Sequence, residues 1–93
     1  MLQKLAAKIP GIWKPLARCL GVKEEKIEEI EEDNRAKVVE QAYQMLWFWR
    51  THLASGSLSW SQSLGKALCE EVVGRDDLAR ELFNYSPPNE NFT

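Results

Sequence analysis

The sequence predicts an all-α fold of five or six short helices, and three observations predict it. In segment after segment, apolar residues recur at i, i+3, i+4 and i+7, the spacing of one buried helix face. Nothing alternates with period two over more than three residues, so no strand is expected. The segments are joined by connections of roughly 2–7 residues, short enough to fold neighbouring helices back on one another as a bundle. With 93 residues the chain makes one domain around one core.

The elements follow in order. A short helix over residues 2–7 has Leu2, Leu5, Ala6 and Ile9 on one face. Ile9-Pro10-Gly11 ends it, because proline disfavours helix at the residue before it and glycine permits the turn. In the next helix Trp13, Leu16, Ala17 and Leu20 form one buried stripe. Pro15 suits a first helical turn, where its missing N–H is not needed, and Gly21 suits the stop. Residues 23–32 make another helix, with Val22, Ile27 and Ile30 inward. Glu24 and Glu25 favour its macrodipole, whereas Glu31, Glu32 and Asp33 at the far end oppose it. Acids placed where they cost helix stability hint at a second purpose. Asp33-Asn34-Arg35 reads as a turn or a very short helix.

Residues 37–53 contain neither Pro nor Gly and make the central helix. At about 100° per residue, Val38, Ala42, Met45, Leu46, Trp49 and Leu53 fall on one side, and Lys37, Glu40, Gln41, Gln44 and Thr51 on the other. Trp47 sits at the edge of the stripe and Phe48 points almost opposite to it, so each either packs over a neighbouring helix or anchors a partner. After the Ser55-Gly56-Ser57 loop, Ser59 and Gln62 read as a capping box. They open a helix with Trp60, Leu64, Ala67, Leu68 and Val72 at helical spacing, ended by Gly74. A last helix over residues 77–83 turns Leu78, Ala79 and Leu82 inward. The domain is expected to span residues 1–83, with the Pro/Asn-rich residues 84–93 as a flexible C-terminal tail.

Composition excludes several function classes. No apolar run reaches the roughly 18 residues of a membrane span, so membrane insertion is not expected. Cys19 and Cys69 lack metal-ligand spacing and read as reduced, half-buried thiols of a cytoplasmic protein. The lone His52 has no acid or nucleophile placed near it, and there is no glycine-rich phosphate loop. The glutamate run lacks the alternating oxygen ligands of a calcium loop. No catalytic residue, metal or cofactor is expected, and what remains is a binding module.

Net charge is −2 but unevenly spread. Residues 1–23 carry five bases and no acid, and residues 24–33 carry seven acids and one base. A short basic segment beside an acidic one argues against nucleic acid. It permits head-to-tail contact between copies, Lys14 and Arg18 of one meeting Glu25, Glu28, Glu29 or Glu32 of the next. Such a heterologous contact does not close on itself and can propagate. The alternative is that both faces are simply solvated, or pair with each other inside one molecule.

Taken together, Trp13-x-x-Leu16-Ala17-x-x-Leu20-Gly21, Ile27-x-x-Ile30-Glu31, Gln41-Ala42-Tyr43-x-Met45-Leu46-x-x-Trp49, Ser59-Trp60-x-x-x-Leu64-x-x-Ala67-Leu68 and Gly74-Arg75-x-Asp77-Leu78-Ala79 resemble, in order, the first, second, fourth, fifth and sixth helices of a death domain. The resemblance covers about residues 13–83. It implies an antiparallel six-helix Greek-key bundle with a split first helix, here with the third helix short or absent. It also implies a non-enzymatic adaptor of apoptotic or innate immune signalling. Its partners would be death-domain proteins and further copies of itself, through paired surfaces of which one sets the first and fourth helices against the second and third. Candidate protein-binding residues are Lys14, Arg18, Glu25, Glu28, Glu29, Glu32, Arg35, Trp47, Phe48, Arg75 and Asp76. Trp13 and Trp49 are expected in the core, and Trp60 half-buried. The competing reading is a small structural or regulatory helical domain of a larger protein, without death-domain partners.

Overall fold

The structure is a computed structural model that describes residues 2–56 and 59–85. Among these it has six α-helices and no strand: α1 (Leu2–Lys8), α2 (Trp13–Cys19), α3 (Glu24–Asp33), α4 (Val38–Phe48), α5 (Trp60–Leu68) and α6 (Asp76–Phe83). A π-helical turn, Trp49–Leu53, continues α4 without a break. The split first helix is α1 plus α2. No helix of the described residues is long and apolar enough to cross a membrane.

Local sequence sets the helix ends. Gly21, at φ +89°, closes α2 with a two-bond cap, Val22 N–H to Ala17 O at 2.9 Å and Gly21 N–H to Arg18 O at 3.1 Å. Asn84, also left-handed, closes α6 in the same way, its N–H and that of Tyr85 donating to Arg80 O and Ala79 O. This cap seats Tyr85 on α5, where a Cβ at Gly65 would lie 2.8 Å from the Tyr85 Cβ. Asn84 and Tyr85, expected in the tail, are therefore part of the packed unit; residues 86–93 of that tail, and Ser57 of the expected loop, lie outside the described residues. Ser59 is the N-cap of α5 as expected, but the cap is made by its carbonyl, which accepts from Gln62 and Ser63, and the reciprocal capping box does not form.

The core is assembled around α4, which packs against α1, α2 and α3, while α5 packs against α6 and α2. Leu5, Leu16, Ile27, Met45, Leu46, Leu64, Leu68 and Leu78 are fully buried, with Trp13 and Trp49 beside them. Where the third helix of the family would lie, residues 34–36 form only a turn, with Ala36 in the left-handed region at φ +63°. A buried polar relay holds that turn. The Trp13 indole N–H donates to Gln41 Oε1 at 3.1 Å, Gln41 Nε2 to Asn34 O at 3.0 Å, and Asn34 Nδ2 to Ile30 O at 3.0 Å.

Four residues depart from their expected sides. Gln41, expected among the solvated residues, is 95% buried in the relay. Val38, expected inward, is 43% exposed because it starts α4 ahead of the turn where the helix meets the core. Leu53, expected on the same stripe, is 50% exposed. In the π turn Ala54 N–H bonds to Trp49 O, five residues back, so Ala54 rather than Leu53 takes the buried place above Trp49. Val72 is 70% exposed because α5 stops at Leu68, and the turn beyond it buries Val73 instead.

Candidate functional site

Of the five large apolar residues exposed among the described residues, four (Val38, Val39, Trp47 and Leu53) lie on α4 and its π turn. Trp47 is 48% exposed and points away from the core, with Tyr43 and Gln44 lining a shallow recess beside it. The wheel positions of the two aromatics do not match their exposure. Trp47 is the outward residue, and Phe48 is the half-buried flank packed against the core.

The Phe48 ring is held from two sources. The His52 ring stacks on it at 4.7 Å and 19°, and the Lys26 ammonium of α3 lies 4.7 Å from its centroid. Trp47 meets His52 edge-on at 6.4 Å. The π turn leaves carbonyls without their usual i+4 partners, and neighbouring side chains serve them. The Thr51 hydroxyl donates to Trp47 O at 2.8 Å, and His52 Nδ1 lies 3.3 Å from Phe48 O. The end of α4 is thus a fixed aromatic platform.

The charged candidates are mostly paired within the chain. Lys14 binds Glu31 at 2.7 Å, and Arg18 grips Glu24 with two bonds of 3.0 Å. Arg35 binds Glu32 at 2.8 Å, and Lys26 binds Glu29 at 3.3 Å. The bond from Arg18 holds the Glu24 carboxyl below its ordinary range, and Glu24 in turn raises Arg18. Arg75 binds Asp77 through two bonds of 3.1 and 3.2 Å, which lower the Asp77 carboxyl, and also donates to the Lys8 carbonyl at 3.3 Å. Arg75 therefore ties the start of α6 to the end of α1. Asp76 faces Arg80 one turn on, at 3.7 Å. Glu25 and Glu28 of α3 are exposed and have no ion-pair partner among the described residues. So does Lys4 of α1, the helix packed on α4.

The candidates fall into three places. Trp47 and Phe48 lie together on α4. Glu25, Glu28, Glu29 and Glu32 share α3, with Lys14, Arg18 and Arg35 bound to acids at its margins. Arg75 and Asp76 sit apart, before and at the start of α6. Val39, Leu53 and Val72 join the exposed apolar set with no signal from periodicity; for Leu53 the signal would have been an i+5 turn, which no residue spacing announces.

Among the described residues no group of His, Cys, Asp or Glu is arranged to hold a metal ion; neither cysteine is in a disulfide, and Cys19, expected half-buried, is exposed at the end of α2 while Cys69 is half-buried. The model of the death-domain family matches residues 1–86 of the chain. No curated protein and no solved structure matches it.

Proposed function

The chain belongs to the death-domain family, whose members are non-enzymatic protein–protein interaction modules, and from that premise we propose that it recruits other death domains as a cytoplasmic adaptor in apoptotic or innate immune signalling. The observation that carries the reading is Trp47, a large aromatic left half in water at the outer pole of the central helix. Exposed aromatics on a rigid element are the usual anchors of protein interfaces. The α4 face around Trp47 and the helix packed on α4, α1 with its unpaired Lys4, dock on the α3 face of the next copy, where Glu25 and Glu28 receive the indole N–H and the ammonium. Rim charges of this kind contribute only ~0–1 kcal/mol each, so they set orientation and on-rate while the aromatic supplies affinity.

The internal pairing of Lys14 and Arg18 supports a different role for them from head-to-tail contact: they brace α2 against α3 and its leading turn. It also favours the second reading, a helical domain without death-domain partners. Light scattering over protein and salt concentration separates the two. Self-association, or capture of a death-domain partner, is expected to weaken as salt rises and to be lost in Trp47→Ala and in Glu25→Lys/Glu28→Lys. No association in the parent chain at any concentration would leave the second reading standing, and association unchanged in both variants would overturn the Trp47 interface.

A further inference from the structure

One side chain of α3 touches both the acidic face of its own helix and the aromatic platform of α4. Lys26 is half-buried at the margin of the acids. Its ammonium stands 3.3 Å from the Glu29 carboxylate and 4.7 Å from the centre of the Phe48 ring. At about 100° per residue, Glu25, Glu28 and Glu29 fall within roughly 100° of one another, so Glu29 belongs to the face on which a neighbour docks. Phe48 carries the His52 ring at 4.7 Å, and His52 meets the edge of Trp47 at 6.4 Å. Glu29, Lys26, Phe48, His52 and Trp47 thus form an unbroken line of contacts from the α3 carboxylates to the exposed indole.

The Lys26 ammonium is divided between its two partners. Charge-assisted bonds close to about 2.7–2.9 Å when nothing opposes them, as Lys14 and Glu31 do at 2.7 Å. Lys26 and Glu29 stop at 3.3 Å, because the same ammonium is also drawn to the face of Phe48. Whatever loosens the hold of Glu29 therefore strengthens the hold of the ring. The far end of the line cannot absorb such a change. His52 Nδ1 lies 3.3 Å from Phe48 O and 2.9 Å from the Thr51 hydroxyl, which donates to Trp47 O at 2.8 Å. These bonds fix the His52 ring to the backbone that carries both aromatics.

We propose, on the premise of the α4–α3 contact above, that Lys26 couples the two faces of one chain, so that a neighbour docked on the α3 carboxylates strengthens the Trp47 face for the next. The neighbour's ammonium at Glu25 and Glu28 draws Glu29 toward itself and repels Lys26. Lys26 then gives its charge to Phe48 alone, and the Phe48–His52 pair beside Trp47 is held more firmly. Lys26 acts as a positioning residue, through Phe48 and His52 and without touching the partner. The coupling is reciprocal, so engagement of Trp47 favours occupation of the acids by the same factor. The cation–π contact at a half-exposed site sets the scale, about two- to fivefold per junction. Growth of a chain of copies would then start abruptly with concentration rather than gradually.

Two one-faced variants isolate a single junction for the test. Glu25→Ala/Glu28→Ala keeps the Trp47 face, Trp47→Ala keeps the α3 face, and their 1:1 complex is measured by titration calorimetry. In the first variant, Glu29→Gln releases Lys26 as a docked neighbour would, and is expected to tighten the complex about threefold. Lys26→Met, which keeps the apolar stem, should weaken it by a similar factor, and Lys26→Arg should retain it. In the Lys26→Met background Glu29→Gln should change nothing. An equal effect of Glu29→Gln with and without Lys26, or no effect, would overturn the coupling. The line of contacts is read separately by NMR in the unmixed first variant. Its Phe48 ring and His52 Cε1 proton resonances should shift with Glu29→Gln and stay in place once Lys26→Met is added. Resonances that do not shift overturn the coupling even where a complex forms. Shifting resonances without any complex overturn the α4–α3 contact instead, and the proposal falls through its premise.

Discussion

Trp47 and Trp49 stand two residues apart on one helix and do opposite things. Trp49 is 4% exposed, at the join of α4 and the π turn, walled in by the core. Trp47 is 48% exposed, shares a shallow recess with Tyr43 and Gln44, and meets the edge of His52. A tryptophan side chain presents roughly 200 Å², so leaving half of it in water forgoes about 2–3 kcal/mol of hydrophobic stabilisation. Folding uses the first ring and leaves the second ring's surface available to whatever covers it. Stability therefore concentrates on one side of α4, and the proposed recognition surface lies on the other.

The sharpest way to break this contrast is to truncate each ring. Trp49→Ala is expected to cost about 3–5 kcal/mol in a urea titration, through lost burial and the cavity left behind. Trp47→Ala is expected to stay within about 1 kcal/mol of the parent while abolishing association. If Trp47→Ala destabilised the chain as much as Trp49→Ala does, the outer face would be structural.

How far each residue was legible follows from the same contrast. The buried stripes of α1, α2, α3, α5 and α6, and Ala42, Met45, Leu46 and Trp49 of α4, obey a period of 3.6, and the sequence carries that period openly. The exceptions lie where the period changes. The i+5 turn exchanged Leu53 for Ala54, and the early stop of α5 exchanged Val72 for Val73. The wheel leaves Trp47 and Phe48 undecided because an angle says nothing of Lys26, which lies over the Phe48 ring from α3. Gln41 was misplaced because its burial depends on Trp13, 28 residues away. The charge split of residues 1–33 was plain in the sequence, but its internal pairing required the actual approach of α2 to α3.

Gln41 gives the next largest effect, on the inner side of the same helix. Gln41→Leu keeps much of the volume but leaves the Trp13 N–H and the Asn34 carbonyl without partners, and is expected to cost about 1–3 kcal/mol. Gln41→Glu retains an acceptor for Trp13 and loses the donor to Asn34. The α3–α4 turn should then loosen while the Trp13 contact persists, measured as faster amide hydrogen exchange at residues 34–37. Equal exchange in parent and variant would mean that the relay does not hold the turn.

A smaller effect of opposite sign is expected where that turn bends. Ala36 sits at φ +63°, where a Cβ costs roughly 1–2 kcal/mol. Ala36→Gly removes that strain but frees the unfolded chain by about 0.4–1 kcal/mol. The net is a gain of about 0.5 kcal/mol, visible as a raised urea midpoint at unchanged slope. A loss of stability would show that the left-handed turn is not populated in solution, and with it the account of why the third helix is missing.

The smallest effect comes from the exposed pairs that stand in for the expected intermolecular charges. Glu24 beside Arg18 and Asp77 beside Arg75 are both held below the ordinary carboxylate range in the folded chain. The folded state therefore binds fewer protons than the unfolded one around those values. The pairs' contribution is present above the unfolded carboxylate pKa of about 4 and is lost as pH falls through the lower folded values. Thermal midpoints at descending pH should hold level from neutrality to about pH 5 as far as these groups are concerned, then fall. Arg18→Gln and Arg75→Gln should each flatten that acid limb slightly, by the little that solvent-exposed pairs contribute. Arg75→Gln also removes the bond to the Lys8 carbonyl, which does not titrate, so it should lower the neutral plateau where Arg18→Gln leaves it nearly unmoved. Equal plateaus in the two variants would place Arg75 with the solvated charges rather than with the ties that hold α1 to α6.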